Sequence, residues 1–247
     1  MNKLLEIRNL GKKYNTLNGE IEAIKDVSFD VYEGEFIAIV GTSGCGKSTI
    51  LSIIDSLTEK SSGSINYFIN NPVIGYMLQD DALFDHYNIL DNVLLGLKIN
   101  NKLEDKDYVL DLLKKYDLDM YKYKYPKELS GGMKQRCALI RTLALKPDLL
   151  LLDEPFSALD YRTRLKVADD VYKIIKDNSK TTIMVTHDIA EAVSMADKVI
   201  VLSKSPAIVK NIYDINLSKR DIPSINRKDD MFNYYYDKIW KDLDDNV

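Results

Sequence analysis

The chain is poor in cysteine and in long apolar runs. It has two cysteines, Cys45 and Cys137, so the sequence indicates no disulfide framework and favours a reducing compartment. Its longest wholly apolar stretches, such as residues 36–40 and 149–152, are far shorter than the ~20 residues that cross a bilayer. Charges in the first eight positions interrupt any signal-peptide core. We therefore expect a chain that neither spans a membrane nor is exported.

The chain also lacks an excess of positive charge. Its formal net charge is -4, whereas general affinity for nucleic-acid backbones needs clustered Lys and Arg. Hydrophobic residues make up 45% and charged residues 29% of the sequence, which is the balance of an ordinary globular protein. We expect a folded protein without a nucleic-acid partner.

The order of apolar patterns along the chain predicts an α/β fold. Short β-like runs broken by glycines come first, and helical spacing then alternates with buried strands. This alternation implies a mostly parallel sheet with helices on both faces. The predicted strands are 4–10, 24–31, 36–40, 149–152 and 181–185, and the predicted helices are 47–57, 133–145 and 162–177.

Composition predicts one domain over residues 1–247 with two secondary features. A polar, helical segment at about 85–130 is interpreted as a helical subdomain inserted in the core. Residues 206–247 are interpreted as a C-terminal appendage, for which we predict aromatic anchors. The predicted anchors are Tyr234, Tyr235, Tyr236 and Trp240.

A glycine-rich loop stands between a predicted strand and a predicted helix. Its sequence, GTSGCGKST at residues 41–49, matches the phosphate-binding loop pattern. The glycines let N–H groups face an anion, Lys47 would reach the terminal phosphates, and the Ser48 oxygen would ligate Mg²⁺. A plain glycine turn is the alternative, which the strand–loop–helix order disfavours. The candidate residues are Gly41, Thr42, Ser43, Gly44, Cys45, Gly46, Lys47, Ser48 and Thr49.

Two acidic residues follow the apolar run at 149–152. They stand at the carboxyl end of a buried parallel strand, the edge where such sheets bind ligands. Asp153 is suited to hold Mg²⁺ and Glu154 to orient or deprotonate an attacking water, since phosphoryl transfer needs positioning and charge neutralisation. A solvated strand end without chemistry is the alternative, and the upstream loop argues against it.

The octet LSGGMKQR at residues 129–136 resembles the signature sequence of ATP-binding-cassette (ABC) ATPases. Ser130 can cap the following helix, while Gly131 and Gly132 leave bare N–H groups for a phosphate. An ordinary capped helix would explain Ser130 but not the whole octet. The fold that this resemblance implies is a P-loop NTPase cassette with an N-terminal antiparallel β subdomain, a mostly parallel core and an inserted helical subdomain.

The resemblance assigns roles to further residues. It implies that Tyr14 stacks on adenine, that Gln79 senses Mg²⁺ and the attacking water, and that His187 contacts the γ-phosphate. Without it, Tyr14 would be one of 16 tyrosines with a surface or core role, and His187 a polar strand end. It also implies a loop that couples two active sites. That loop is Ser157, Ala158, Leu159 and Asp160.

The resemblance further implies an assembly. Two chains would face head to tail, with each ATP held between one chain's residues 41–49 and the other's 130–132. The dimer would act as a Mg²⁺-dependent ATPase on the cytoplasmic face of a membrane permease, which receives solute from a solute-binding protein. A cleft at Gln79 and residues 80–88 would receive a short permease helix.

Within the family, residues 75–81 and 90–97 resemble the corresponding segments of ATPase subunits from importers of nitrate, sulfonates or taurine. Residues 84–87 and 204–206 depart from the pattern of those subunits. Another importer, an exporter and a non-transport cassette ATPase stay as alternatives. A chromosome-structural ATPase would need long coiled-coil arms, and a non-enzymatic sensor would be expected to lose Glu154 or His187. For Cys45 a redox-sensitive thiol is weighed against a tolerated loop residue, and Cys137 is expected to pack.

Overall fold

A computed structural model describes residues 2–17 and 19–244 of the chain. The chain divides into two compact units, residues 1–72 with 181–247, and residues 73–180. Among the described helices, none is both long and apolar enough to cross a bilayer.

The first unit opens with an antiparallel hairpin. Strand β1 (Lys3–Thr16) pairs with β2 (Gly19–Tyr32), and β4 (Ser62–Tyr67) adds to the other side of β1. The predicted antiparallel N-terminal part is confirmed. Both hairpin strands are longer than predicted, because their polar ends continue the backbone ladder as far as the Thr16–Gly19 pair.

A parallel core lies beside the hairpin in the same unit. Strand β3 (Phe36–Val40) is buried at every residue and is flanked in parallel by β7 (Thr181–Thr186) and β8 (Lys198–Leu202). Strand β9 (Ala207–Asp214) joins the two parts, because it pairs antiparallel with β8 and parallel with β2. Burial on both faces explains the uninterrupted apolar run of β3.

Helix α1 (Lys47–Ile54) starts where the sequence predicts and ends three residues early. Asp55 caps it, and Ser56 then takes a left-handed backbone with φ of +60°. Leu57, predicted on the apolar side of this helix, is 67% exposed. The apolar periodicity therefore extends past the point where the backbone leaves the helix.

The second unit holds two strands and most of the longer helices. Strands β5 (Ile74–Met77) and β6 (Leu149–Asp153) pair in parallel. Helices α2 and α3 fall within the segment predicted as an inserted helical subdomain, whose limits stay a prediction. The helices of this unit are α2 (Ile89–Ile99), α3 (Lys106–Lys115), α4 (Gly131–Leu143) and α5 (Tyr161–Asp177), with short 3-10 turns at Leu103–Asp105, Asp119–Tyr121 and Pro126–Glu128.

The chain returns to the first unit with α6 (Ile189–Met195), and α7 (Pro223–Asn226) and α8 (Asp230–Asp244) belong to the predicted appendage. The buried face of α8 consists of Phe232, Tyr235 and Ile239. The prediction of Tyr234 and Trp240 as anchors is wrong, because helical spacing turns both toward solvent, with 47% and 54% exposed. The last three residues of the predicted appendage lie outside the described chain.

The anchoring of α8 predicts unequal effects of two neighbouring substitutions. We expect Ile239→Ala to lower the free energy of unfolding by about 2–5 kcal/mol, because it leaves a cavity at a fully buried position. Trp240→Ala should cost less than about 1 kcal/mol, since the ring is largely exposed. Urea unfolding of both variants measures the difference, and an equal loss would contradict this account of the helix.

Candidate nucleotide site

The phosphate-binding loop follows β3 and depends on glycine. Gly44 and Gly46 have φ of +77° and +110°, where a side chain would be strained. The N–H of Cys45 donates to the carbonyl of Thr42 over 3.2 Å and closes the loop. A Cβ added to Gly41 would lie 2.6 Å from the Cys45 sulfur. The loop therefore has the tight curl that aims backbone N–H groups at an anion.

Lys47 is the buried charge of this loop. It is only 4% exposed, and its ammonium donates to the carbonyls of Gly41 and Thr42 over 3.0 and 3.2 Å. Ser48 follows at an exposed position in the first turn of α1. An ammonium and a hydroxyl at one helix start fit a polyphosphate and its Mg²⁺ ion, which prefers oxygen ligands.

His187 emerges beside the loop. Val40 pairs with Thr186 in the parallel ladder of β3 and β7, so Gly41 and His187 both come directly after paired residues at one sheet edge. His187 is exposed there. The structure thus brings together the loop and the histidine, two parts of the predicted site that are far apart in sequence.

Hydrogen bonds brace the turn that carries His187. The Thr186 hydroxyl donates to the carboxylate of Glu191 over 2.7 Å, and the N–H of Asp188 donates to the Thr186 hydroxyl over 3.0 Å. Asp188 caps α6 by accepting from the N–H of Glu191. Glu191 is 4% exposed. Sequence reasoning missed Glu191, although an acid three residues after a capping Asp is a recognisable helix-start pattern.

Tyr14 lies on β1, and the residue is 38% exposed. The ammonium of Lys12 stands 4.7 Å from the ring centroid. The ring is therefore accessible on the surface of the first unit, and its contact with adenine stays a prediction.

The acidic pair ends β6 in the second unit. Asp153 is buried, and the Tyr76 hydroxyl donates to its carboxylate over 3.0 Å. Met77 pairs with Leu152 in the parallel ladder of β5 and β6. The segment that carries Gln79 and the acidic pair therefore leave the same edge, as Gly41 and His187 do in the first unit. Tyr76 is a further site residue that sequence reasoning did not single out.

Glu154 has a left-handed backbone with φ of +42°. This conformation is rare for residues with a side chain and typically costs about 1–3 kcal/mol. The carbonyl of Glu154 accepts from both the N–H and the hydroxyl of Ser157, over 3.1 and 3.0 Å. The following turn thus holds Glu154 in a strained form, a state that occurs often at functional sites.

The predicted coupling segment, residues 157–160, begins at that turn. The Gln79 amide donates to the Ser157 hydroxyl over 3.4 Å, which brings the two predicted elements together. Asp160 caps α5, and its hydrogen bond from the Thr163 side chain lowers the pKa of its carboxyl. Arg164 donates to the carbonyl of Leu159 over 3.0 Å. Both ends of the segment are therefore fixed.

The signature sequence packs against this segment. Ser130 caps α4 as predicted, accepting from the N–H of Met133 over 3.4 Å. A Cβ on Gly131 would lie 2.9 Å from the Leu159 side chain, and one on Gly132 would lie 2.6 Å from Val167. Side chains at these two positions would crowd Leu159 and Val167, so packing favours glycine here in addition to any role of the N–H groups.

The two cysteines are both buried. Cys45 is 1% exposed within the phosphate-binding loop. Burial raises the pKa of the Cys137 thiol to about 12, so this residue is an inert packing group, as expected. The burial of Cys45 favours its role as a small loop residue over a redox-sensitive one.

An apolar groove of about 350 Å³ opens on the second unit. Leu78, Phe84 and Ile99 are among its lining residues and expose about half or more of their surface. Large exposed apolar clusters commonly mark interaction sites. The groove is also lined by Leu95, Arg141 and Leu145.

Two polar side chains hold the rim of the groove in place. Arg141 donates to the carbonyls of Asp81 and Ala82, and burial lowers the pKa of its guanidinium. Asn92 is fully buried, and its side-chain amide accepts a hydrogen bond from the N–H of Phe84 and donates one to the carbonyl of Phe84. The groove is therefore largely preformed at the segment where the sequence predicts a permease contact.

Known proteins resemble the chain along most of its length. A family described as "ABC transporter" matches residues 24–157. The ABC transporter ATP-binding protein YtlC of Bacillus subtilis is 43% identical over 97% of this chain and 95% of its own length. The nitrate transport protein NasD of Klebsiella oxytoca is 37% identical over 89% of this chain and 88% of its own.

A relative named for a different solute is also similar to the chain. The spermidine/putrescine import ATP-binding protein PotA of Mycoplasma capricolum is 40% identical over 82% of this chain, which spans 60% of that relative's length. Among solved structures, a dimeric ATP-binding cassette in a post-hydrolysis state with ADP and phosphate has a TM-score of 0.71 and 30% identity. It covers 86% of this chain and 99% of its own. The predicted cassette fold is confirmed.

The bracing of His187 predicts different effects for two substitutions. Glu191→Leu should reduce ATP turnover about tenfold to a hundredfold with little change in KM, because the turn loses its buried acceptor and His187 shifts. Glu191→Gln keeps an acceptor oxygen and should retain most turnover.

Histidine NMR separates positioning from general damage. The chain has two histidines, so the His187 signal is assignable against His86. We expect Glu191→Leu to move the His187 resonance and leave that of His86 in place. Full turnover in this variant would refute the positioning role.

Proposed function

The chain belongs to the ABC transporter family as an ATP-binding subunit, and we propose that it is a Mg²⁺-dependent ATPase that drives solute import through a membrane permease. The observation that carries the proposal is the shared sheet edge of the first unit. There a glycine-curled loop with a buried lysine lies beside an exposed histidine.

ATP binding follows from the charges of that edge. The loop's N–H groups and the start of α1 attract a polyphosphate, and Lys47 exchanges its carbonyl partners for phosphate oxygens. Tyr14 offers an exposed aromatic face to adenine. His187, braced by Glu191, contacts the γ-phosphate.

Hydrolysis of ATP depends on orienting the attacking water and neutralising the phosphate charge, and it needs no covalent intermediate with the protein. Glu154, held in its strained turn, orients the water and accepts its proton. Gln79 adds a polar contact to that water. Mg²⁺ would supply charge neutralisation at the phosphates, and the sequence pattern assigns it the oxygens of Ser48, Gln79 and Asp153.

Two copies of the chain complete each site. Ser130, Gly131 and Gly132 begin α4 and present N–H groups to the ATP held by the opposite subunit. Leu159 packs beside Gly131, so the coupling segment and the signature respond to ATP as one unit. The dimeric assembly of the similar cassette supports this arrangement.

The groove on the second unit binds the permease. Its size and apolar lining fit one face of a short amphipathic helix, the usual occupant of such grooves. ATP-driven closure of the dimer would then move the bound helix. This contact would hold the chain at the cytoplasmic face of the membrane.

A small anion such as nitrate, a sulfonate or taurine is the proposed solute. Residues 75–81 and 90–97, together with the similarity to NasD, support it. A polyamine is the second candidate, which the similarity to PotA favours. The solute-binding protein that is recovered with the permease would distinguish the two.

Two substitutions in the site should separate ATP hydrolysis from ATP binding. Glu154→Gln should reduce turnover by about a thousandfold or more and preserve ATP affinity, because it removes the proton acceptor and leaves the phosphate contacts. Lys47→Ala should weaken ATP binding itself by about tenfold or more, since it removes a charge paired with phosphate. Calorimetry with ATP and phosphate-release assays measure both effects.

These variants are informative only as a pair. Undiminished turnover in Glu154→Gln would refute its assignment as the base. An unchanged ATP affinity in Lys47→Ala would refute the loop as the phosphate site. Asp55→Asn, a carboxylate change just beyond α1, is the control that should alter neither quantity.

The groove predicts a contact with the permease that is independent of ATP chemistry. Ile99→Asp should reduce the permease recovered with tagged chain from native membranes by about tenfold, because it puts a charge in an apolar contact. Leu57→Asp changes an equally exposed residue outside the groove and should have no effect. Equal recovery with both variants would contradict the docking site.

A further inference from the structure

A second pocket, of about 350 Å³, lies in the first unit beside the candidate histidine. One side is formed by residues 187–189, and the other by Tyr236, Trp240, Leu243 and Asp244 of α8. Its volume is at the lower end of those that bind small molecules. None of the roles proposed above uses the α8 side of this pocket.

The α8 side is an aromatic wall. The rings of Tyr236 and Trp240 stack with a centroid distance of 6.4 Å and an angle of 12°, and Phe232 continues the stack below Tyr236 at 6.2 Å. Trp240 remains more than half exposed. Because Phe232, Tyr235 and Ile239 form the buried face of α8, the outer rings are not explained by packing of the helix.

The charge of the pocket is negative. Asp188 and Asp244 contribute carboxylates, and no Lys or Arg is among its described lining residues. Asp188 already accepts from the N–H of Glu191, which leaves Asp244 as the better counter-charge for a ligand. The nearby Lys238 lies over the ring of Tyr234, a residue that does not line the pocket.

We propose that this pocket binds a small organic ammonium ion. Its cationic group would contact the outer face of Trp240, whose other face stacks on Tyr236, with the Asp244 carboxylate as partner, since an aromatic face and a carboxylate both attract an ammonium. A phosphate or other anion would be repelled by the same carboxylates. The site is thus distinct in chemistry from the phosphate-binding loop.

The pocket shares a residue with the proposed ATP site. His187 lines it directly, and its turn is braced by Thr186 and Glu191. An ammonium ion bound against α8 would therefore share its pocket with the residue that we assign to the γ-phosphate.

A pair of matched probes tests the binding. Trp240 is the sole tryptophan of the chain, so intrinsic fluorescence of the full chain reports on this pocket. Choline and its uncharged isostere 3,3-dimethylbutan-1-ol have nearly the same shape. We expect saturable quenching or shift by choline at about tenfold lower concentration than by the alcohol, which is the effect expected of a cation on an aromatic face.

Substitutions on α8 locate the effect. Asp244→Asn should weaken choline binding at least about threefold, whereas Asp237→Asn removes the same charge from the same helix away from the pocket and should not. Tyr236→Leu should weaken binding about tenfold, because Trp240 loses the ring that holds it in the pocket, and Tyr234→Leu is its control.

The proposal fails if choline gives no saturable signal, if the alcohol binds equally well, or if the control variants lose as much as the pocket variants. Binding is measured without ATP, so this outcome is independent of the proposed ATPase. A chain that hydrolyses ATP but does not select choline refutes only the pocket. A chain that selects choline without hydrolysing ATP refutes only the proposed function.

Discussion

The parallel register of two strand pairs is the constraint on which the site depends. Val40 beside Thr186 fixes the phosphate-binding loop next to His187, and Met77 beside Leu152 fixes the Gln79 segment next to the acidic pair. A shift of one residue in either ladder would turn every side chain of that strand to the other face. Strands β3, β6 and β7 are buried at every residue, so such a shift would exchange side chains of different size between two packed layers and is opposed by the loss of packing.

The turns that carry the candidate catalytic residues are held in place by hydrogen bonds. The strained Glu154 is held by two bonds from Ser157, and the His187 turn by a buried carboxylate. Gly131 and Gly132 allow Leu159 and Val167 to approach α4 closely. Glu154 and His187 are therefore positioned by neighbours that are themselves held in place, as catalysis by pre-organised charge requires.

Sequence patterns predicted most of this arrangement, and the misses have physical causes. Strand β3 and the start of α1 were predicted to the residue, because uniform burial and a glycine loop are strong local signals. The end of α1 and two of the four predicted α8 anchors, Tyr234 and Trp240, were wrong, whereas Tyr235 is buried as predicted, since composition does not tell which apolar residues face the core. Glu191 and Tyr76 were missed because their roles come from hydrogen bonds between elements or across a turn. The assignment of ATP and Mg²⁺ to individual residues stays a proposal.

ATP turnover per chain across a dilution series, with the monomer fraction determined by sedimentation in the same buffer, tests the central claim most directly. The proposed site is shared between two chains, so turnover per chain should fall in proportion to the dimer fraction. Full turnover per chain at concentrations where the protein is monomeric would contradict a composite site and with it the proposed function.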